Sequence, residues 1–163
     1  MKKLILLIAF LFLLTLTYSF SPIFNNLFSL HNVVFSDAVY SVYCLDISSS
    51  LNSNDIIVLN NGNSFIVKSN INYAEFVKKN SFNVLGESVS FKSDLFSIDR
   101  IIKFYNIDVK IKENVADIIT IYGYSKNNQF TNSVIIDNES VNIQIAFKDK
   151  KLTIGTPIIL GDY

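Results

Sequence analysis

Ser93-Asp94-Leu95-Phe96-Ser97-Ile98-Asp99-Arg100-Ile101-Ile102-Lys103-Phe104-Tyr105-Asn106 runs directly into Ile107-Asp108-Val109-Lys110-Ile111-Lys112, and the change of period between the two decides the fold class. In the first stretch Leu95, Ile98, Ile101, Ile102 and Tyr105 recur at helical spacing and share one face. Ser93 or Asp94 supplies the N-cap, and Asn106 the stop. In the second, Val109 to Lys112 alternates strictly between apolar and charged residues, as a strand does when one face is buried.

Working outward toward the C-terminus, Ile118 to Tyr124, Val134 to Ile136 and Val141 to Phe147 read as strands. A tight turn at Asp149-Lys150 leads into a last strand, Leu152 to Leu160. Gly155-Thr156-Pro157 interrupts it, and since Pro cannot donate to a ladder, the strand is expected at an edge or on a bulge. Toward the N-terminus, Phe82 to Phe91 is extended, with Gly86 as a bulge or bend. A short helix precedes it, capped by Asn72 with Glu75, and with Tyr73, Phe76 and Val77 on one face. Ile56 to Leu59 and Phe65 to Lys68 flank Asn60-Asn61-Gly62-Asn63, whose Asn-Gly pair suits a type I′ hairpin. Val39 to Leu45 is the first strand. Short connections between strands imply a mostly antiparallel sheet, and two amphipathic helices bury their stripes most economically on one of its faces. The expected class is α+β.

The chain divides into residues 1–21, a signal peptide or N-terminal membrane anchor, 22–37, a linker, and 38–163, a single α+β domain. Met1-Lys2-Lys3 is a positive start, Leu4 to Leu16 carries no charge, and Thr17-Tyr18-Ser19 offers small residues for cleavage. If uncut, the uncharged stretch to Leu30 is long enough to span a bilayer. In either case the protein is expected to be secreted or membrane-anchored, with its domain outside the cytoplasmic membrane. Basic and acidic residues number 14 each, and setting aside Lys2 and Lys3 leaves 12 against 14. That balance argues against a nucleic-acid partner, and no polybasic stretch is present for anionic lipid.

Catalytic parts are few. His31 is the only histidine and Cys44 the only cysteine, so hydrolytic triads and zinc sites lack members. Cys44, inside Val42-Tyr43-Cys44-Leu45, reads as a small buried apolar side chain. The glycines stand far apart and make no phosphate loop. Asp55 near Asn60, Asn61 and Asn63 fits a polar hairpin tip better than a calcium loop. No cofactor or metal is expected. Asp94 with Asp99, and Glu87 with Asp117, are the carboxylate pairs that acid/base chemistry would need. A helix start explains Asp94, and the wet side of that helix explains Asp99 and Arg100.

Binding residues are easier to nominate. Asn142 and Gln144 alternate with Val141, Ile143, Ile145 and Phe147, which places them, with Ala146, on the face away from the helices. On an uncovered face their amides would offer a hydrogen-bonding surface. Tyr122 and Tyr124 flank Gly123 and share one strand face, as an aromatic platform for sugar or peptide or as sheet packing.

Val141-Asn142-Ile143-Gln144-Ile145-Ala146, a turn, Ile154-Gly155-Thr156-Pro157-Ile158-Ile159 and a final Tyr163 resemble the end of the YwmB-like proteins. Those are exported proteins of spore-forming, low-GC Gram-positive bacteria, with a fold likened to the TATA-box-binding protein. The resemblance implies a saddle-like α+β domain at the cell envelope, with a possible link to sporulation, and brings no catalytic residues. Together these readings give the expectation of a non-enzymatic envelope protein that binds a protein or wall component through its bare sheet face. The alternative is a small carboxylate-dependent hydrolase or lyase acting on wall polymer.

Overall fold

The computed structural model describes residues 37–127, 130 and 132–160. Residues 1–21, expected to be a signal peptide or anchor, residues 22–36 of the expected linker, with His31, and Tyr163 lie outside the described residues.

In chain order the elements are β1 (Val39–Ile47), β2 (Ile56–Asn60), β3 (Phe65–Asn70), α1 (Ala74–Lys79), β4 (Ser81–Lys92), α2 (Phe96–Phe104), β5 (Ile107–Val115), β6 (Ile118–Ser125), β7 (Val134–Ile136), β8 (Glu139–Val141), β9 (Ile143–Lys148) and β10 (Lys151–Thr156). Eight strands form one sheet in the order β2-β3-β1-β4-β10-β9-β6-β5, and β7 pairs with β8 as a separate hairpin. Every described strand pair is antiparallel. The described residues form an α+β fold with two α-helices, as their hydrophobic periods require.

Both helices cover the same face. Residues directly opposite in a ladder share a face, and register links Val67, Val42, Tyr40, Val89, Ile154, Ile145 and Ile121 across the sheet in this way. These side chains form one buried cluster with Ala74 and Val77 of α1, Ile98 of α2, and Tyr105, Ile107 and Phe130 beyond it. Gly123 makes room for part of it, because a Cβ there would collide with Ile107 Cγ2. Cys44 is fully buried in the cluster, and burial pushes its thiol pKa up, so it behaves as an apolar side chain.

Local signals account for the element ends, with some shifts. Asp94 caps α2 by accepting from the Ser97 N–H at 3.0 Å and the Ser97 hydroxyl at 2.8 Å. Asn106 ends the helix at φ 48°. For α1 the cap comes two residues before the expected one. Asn70, not Asn72, accepts from the Asn72 N–H and starts a short 3₁₀ turn, Ile71–Tyr73, that leads into the helix. The buried face of this segment is Ile71, Ala74 and Val77, whereas Tyr73 and Phe76 are exposed. In the β2–β3 turn only Gly62 has positive φ, so the two consecutive positive-φ residues of a type I′ turn are not present, and Asn61 N–H donates to the Ser64 carbonyl. Gly86 does mark a bulge: β1 opposes Tyr43 to Gly86 and then Cys44 to Val84, leaving Leu85 extra.

Two corrections concern the C-terminal strands. β10 is no edge strand but lies between β4 and β9 in mid-sheet. It stops at Thr156, just before Pro157, so the proline never has to serve a ladder. The run from Val141 to Phe147 is not one strand either: β8 ends at Val141 and β9 begins at Ile143, with Asn142 between two sheets.

Candidate binding face

Asn142 and Gln144 were expected on an exposed surface. They are 1 % and 2 % exposed, and their amides are spent inside the protein. At Asn142 the chain leaves the main sheet for the β7–β8 hairpin, which would strand the end of β6. Its carboxamide fills the gap. Oδ1 accepts from the Ser125 N–H at 2.8 Å, and Nδ2 donates to the Ser125 carbonyl at 2.7 Å and to the Phe130 carbonyl at 3.1 Å. The side chain thus stands in for one peptide group of the ladder, two residues past the Ile143–Gly123 pair. Thr156 closes the other side by donating its hydroxyl to the Asn142 carbonyl at 2.9 Å.

Gln144 is covered by the chain beyond β10. The segment 157–160 folds back over Gly155, where an added Cβ would meet Ile159 N at 2.8 Å and Ile159 Cα at 2.9 Å. Only glycine admits so close a crossing. Gln144 Oε1 accepts from the Ile159 N–H at 2.8 Å and pins the segment there. Gly86 supports the same crossing, with Leu160 Cδ1 3.0 Å from its built Cβ. Tyr122 pairs with Gln144 and shares its face; it and Tyr124 are half-buried.

The polar surface lies further along the same face. Register assembles Lys68, Ser41, Ser88, Gly155 and Gln144 in one cross-strand row, and Val39, Ser90, Thr153 and Ala146 in the next. Ser90 and Thr153 share a hydroxyl hydrogen bond of 2.9 Å. The third row is Lys92, Lys151 and Lys148, directly opposite one another on β4, β10 and β9. Like charges so placed repel, and among the described residues these three lysines form no ion pair. Between the rows and the folded-back segment is a shallow pocket of about 80 Å³, lined by Ser41, Ser88 and Ser90, by Lys68 and Lys151, and by Ile159 and Leu160. Hydroxyls and ammonium groups on an apolar rim can hold an anionic group by charge-assisted hydrogen bonds.

The carboxylates are placed differently. Glu87 lies on the helix-bearing face, where it accepts from the Tyr40 hydroxyl at 2.7 Å and meets Lys78 Nζ at 3.2 Å. Burial and the neighbouring Glu87 push the Tyr40 pKa far upward, so this hydroxyl stays protonated as a donor. Asp117 sits in the β5–β6 turn, with β10 and β9 between β4 and β6, so the two carboxylates are not brought together. Asp94 is taken by Ser97, and Asp99 is exposed on α2. Among the described residues no cluster of His, Cys, Asp or Glu could hold a metal ion.

The lysine row was missed in the sequence because its members come from separate strands. The Lys148-Asp149-Lys150-Lys151 run was its one visible trace. Searches against family models, curated proteins and solved structures return no match, and nothing in them identifies a YwmB-like relative.

Proposed function

We propose that this is a non-enzymatic binding protein of the cell envelope, which holds an acidic partner on the lysine-bearing end of its helix-free sheet face. The partner is the protein or wall component expected from the sequence, now with negative charge as its defining chemistry. The observation that carries this reading is the direct register of Lys92, Lys151 and Lys148. Unpaired like charges side by side cost stability in the free protein, and an anionic ligand would remove that cost. Placement outside the membrane rests on Lys2, Lys3 and the uncharged run from Leu4.

The test is co-sedimentation of the full chain with isolated cell walls, and with poly-L-glutamate as a defined polyanion, over a series of salt concentrations. Wild type should bind both and be released by salt. A K92Q/K148Q/K151Q variant should lose at least tenfold in affinity and most of the salt dependence. Binding that the triple substitution leaves unchanged would remove this face from consideration. A hydrolase or lyase is less well supported, since Glu87 and Asp117 are held apart and no carboxylate lines the pocket beside the lysine row.

A further inference from the structure

The two edges of the sheet differ. β5, at one end, carries Asp108, Lys110, Lys112 and Glu113 and is bulged at Lys110, which is tied to Asp108 at 3.0 Å and Glu139 at 3.4 Å. Charges and bulges of this kind keep an edge from pairing. β2, at the other end, is Ile56-Ile57-Val58-Leu59-Asn60, with no charge, no proline and no bulge. Ile57 is 58 % exposed and Leu59 43 %.

Ladder alternation says which backbone groups of β2 are free. Asn61 donates to Ser64, so that pair is hydrogen-bonded and Leu59 and Ile57 also point their backbone groups at β3. Val58 and Asn60 therefore point their N–H and C=O groups away from the sheet, as Ile56 does its C=O. The Ile56 N–H is already given to the Ser53 carbonyl.

We infer that β2 is the seam of a homodimer, formed by two copies pairing antiparallel edge to edge about Val58. In this register the Val58 groups of the two copies bond each other, and Asn60 N–H of each donates to Ile56 C=O of the other. Ile57 of each copy stands beside Leu59 of the other, covering the most exposed apolar side chains on the edge. A second copy fits because the pattern is self-complementary about its centre, and no charge on β2 meets its own image. Beside the edge, Ile47, Leu51, Ile56 and Val58 line a groove of about 360 Å³, which takes side chains of the added strand on that face. A five-residue edge is small for an interface, so the dimer should be reversible and concentration-dependent.

Cysteine cross-linking tests the register, since Cys44 is buried and is the only cysteine. Full-length Val58→Cys in detergent should give a covalent dimer on mild oxidation, and Val115→Cys at the end of β5 should not. Absence of the first, or equal yield from both, overturns the seam. Sedimentation equilibrium of Val58→Pro supplies the second measurement. Proline removes an N–H that β3 does not use, so the chain should stay folded with its dimer association weakened at least tenfold. Association equal to wild type would overturn the proposal.

Discussion

The Asn142 carboxamide holds both backbone groups of Ser125, accepting from its N–H at 2.8 Å and donating to its carbonyl at 2.7 Å. A side chain so engaged belongs to the framework, and replacing it strands buried partners. Asn142→Ala should destabilise the domain by about 2–4 kcal/mol, at the usual cost of orphaning buried groups. Asn142→Asp should be at least as damaging, because it removes both donors and buries a charge. Urea denaturation followed by circular dichroism measures both. A loss under about 0.5 kcal/mol, typical of exposed sites, would show that the amide is not needed.

Gly155 and Gln144 act on one segment, so their variants should share a signature. Gly155→Ala places a methyl against the Ile159 backbone and should displace 157–160. Gln144→Ala removes the acceptor for the Ile159 N–H and should cost about 1–2 kcal/mol. In both, hydrogen exchange at Ile159 should speed up far more than at Ile145 in mid-sheet. Uniform acceleration across the sheet would mean that the segment is not separately pinned.

Relieving the lysine row should not harm the fold. K92Q/K148Q/K151Q should leave stability unchanged or raise it by up to about 1 kcal/mol, since three like charges no longer face one another. Its denaturation midpoint should also depend less on salt than that of wild type. Destabilisation by the triple substitution would mean that the lysine stems support the sheet.

Alkaline pH should unfold the domain through its buried tyrosines. Burial pushes the Tyr105 hydroxyl up to about 12, above its ordinary value of about 10. Below pH 10 it is neutral in both states and the stability is intact. Between pH 10 and 12 the unfolded chain ionises first, so stability falls as pH rises, by about 2–3 kcal/mol for a two-unit shift. Tyr40, raised by burial and by Glu87, adds to the fall. Tyr105→Phe should flatten the pH dependence over this range. An unchanged profile would assign the alkaline loss elsewhere.

What could be read in the sequence was local. Asp94 to Asn106 carries its own cap, stripe and stop, and α2 forms there, although Leu95 at the start of the stripe is exposed. Gly86 marked its bulge, and Asp149 and Lys150, both at positive φ, make the expected tight turn. Asn142 was misplaced because the strand breaks there and its amide turns into the ladder of β6, and Gln144 because alternation fixes a side chain's face but not what covers it. The cover is the segment after β10, which reaches Gln144 only through the fold. The lysine row needs the register of three strands, which no single segment contains.

The place of β10 has a consequence for how the domain assembles. Strands β1 to β4 pair among themselves, as do β5, β6 and β9, and the strand that joins the two groups is the last of the described strands. Without β10 no ladder links the two groups, and the shared core that runs from Val67 to Ile121 lacks Leu152 and Ile154 at its middle. Closure is then a single late event between segments far apart in the chain, the kind of contact that makes folding slow. The two halves of the sheet become one only when β10 enters between β4 and β9.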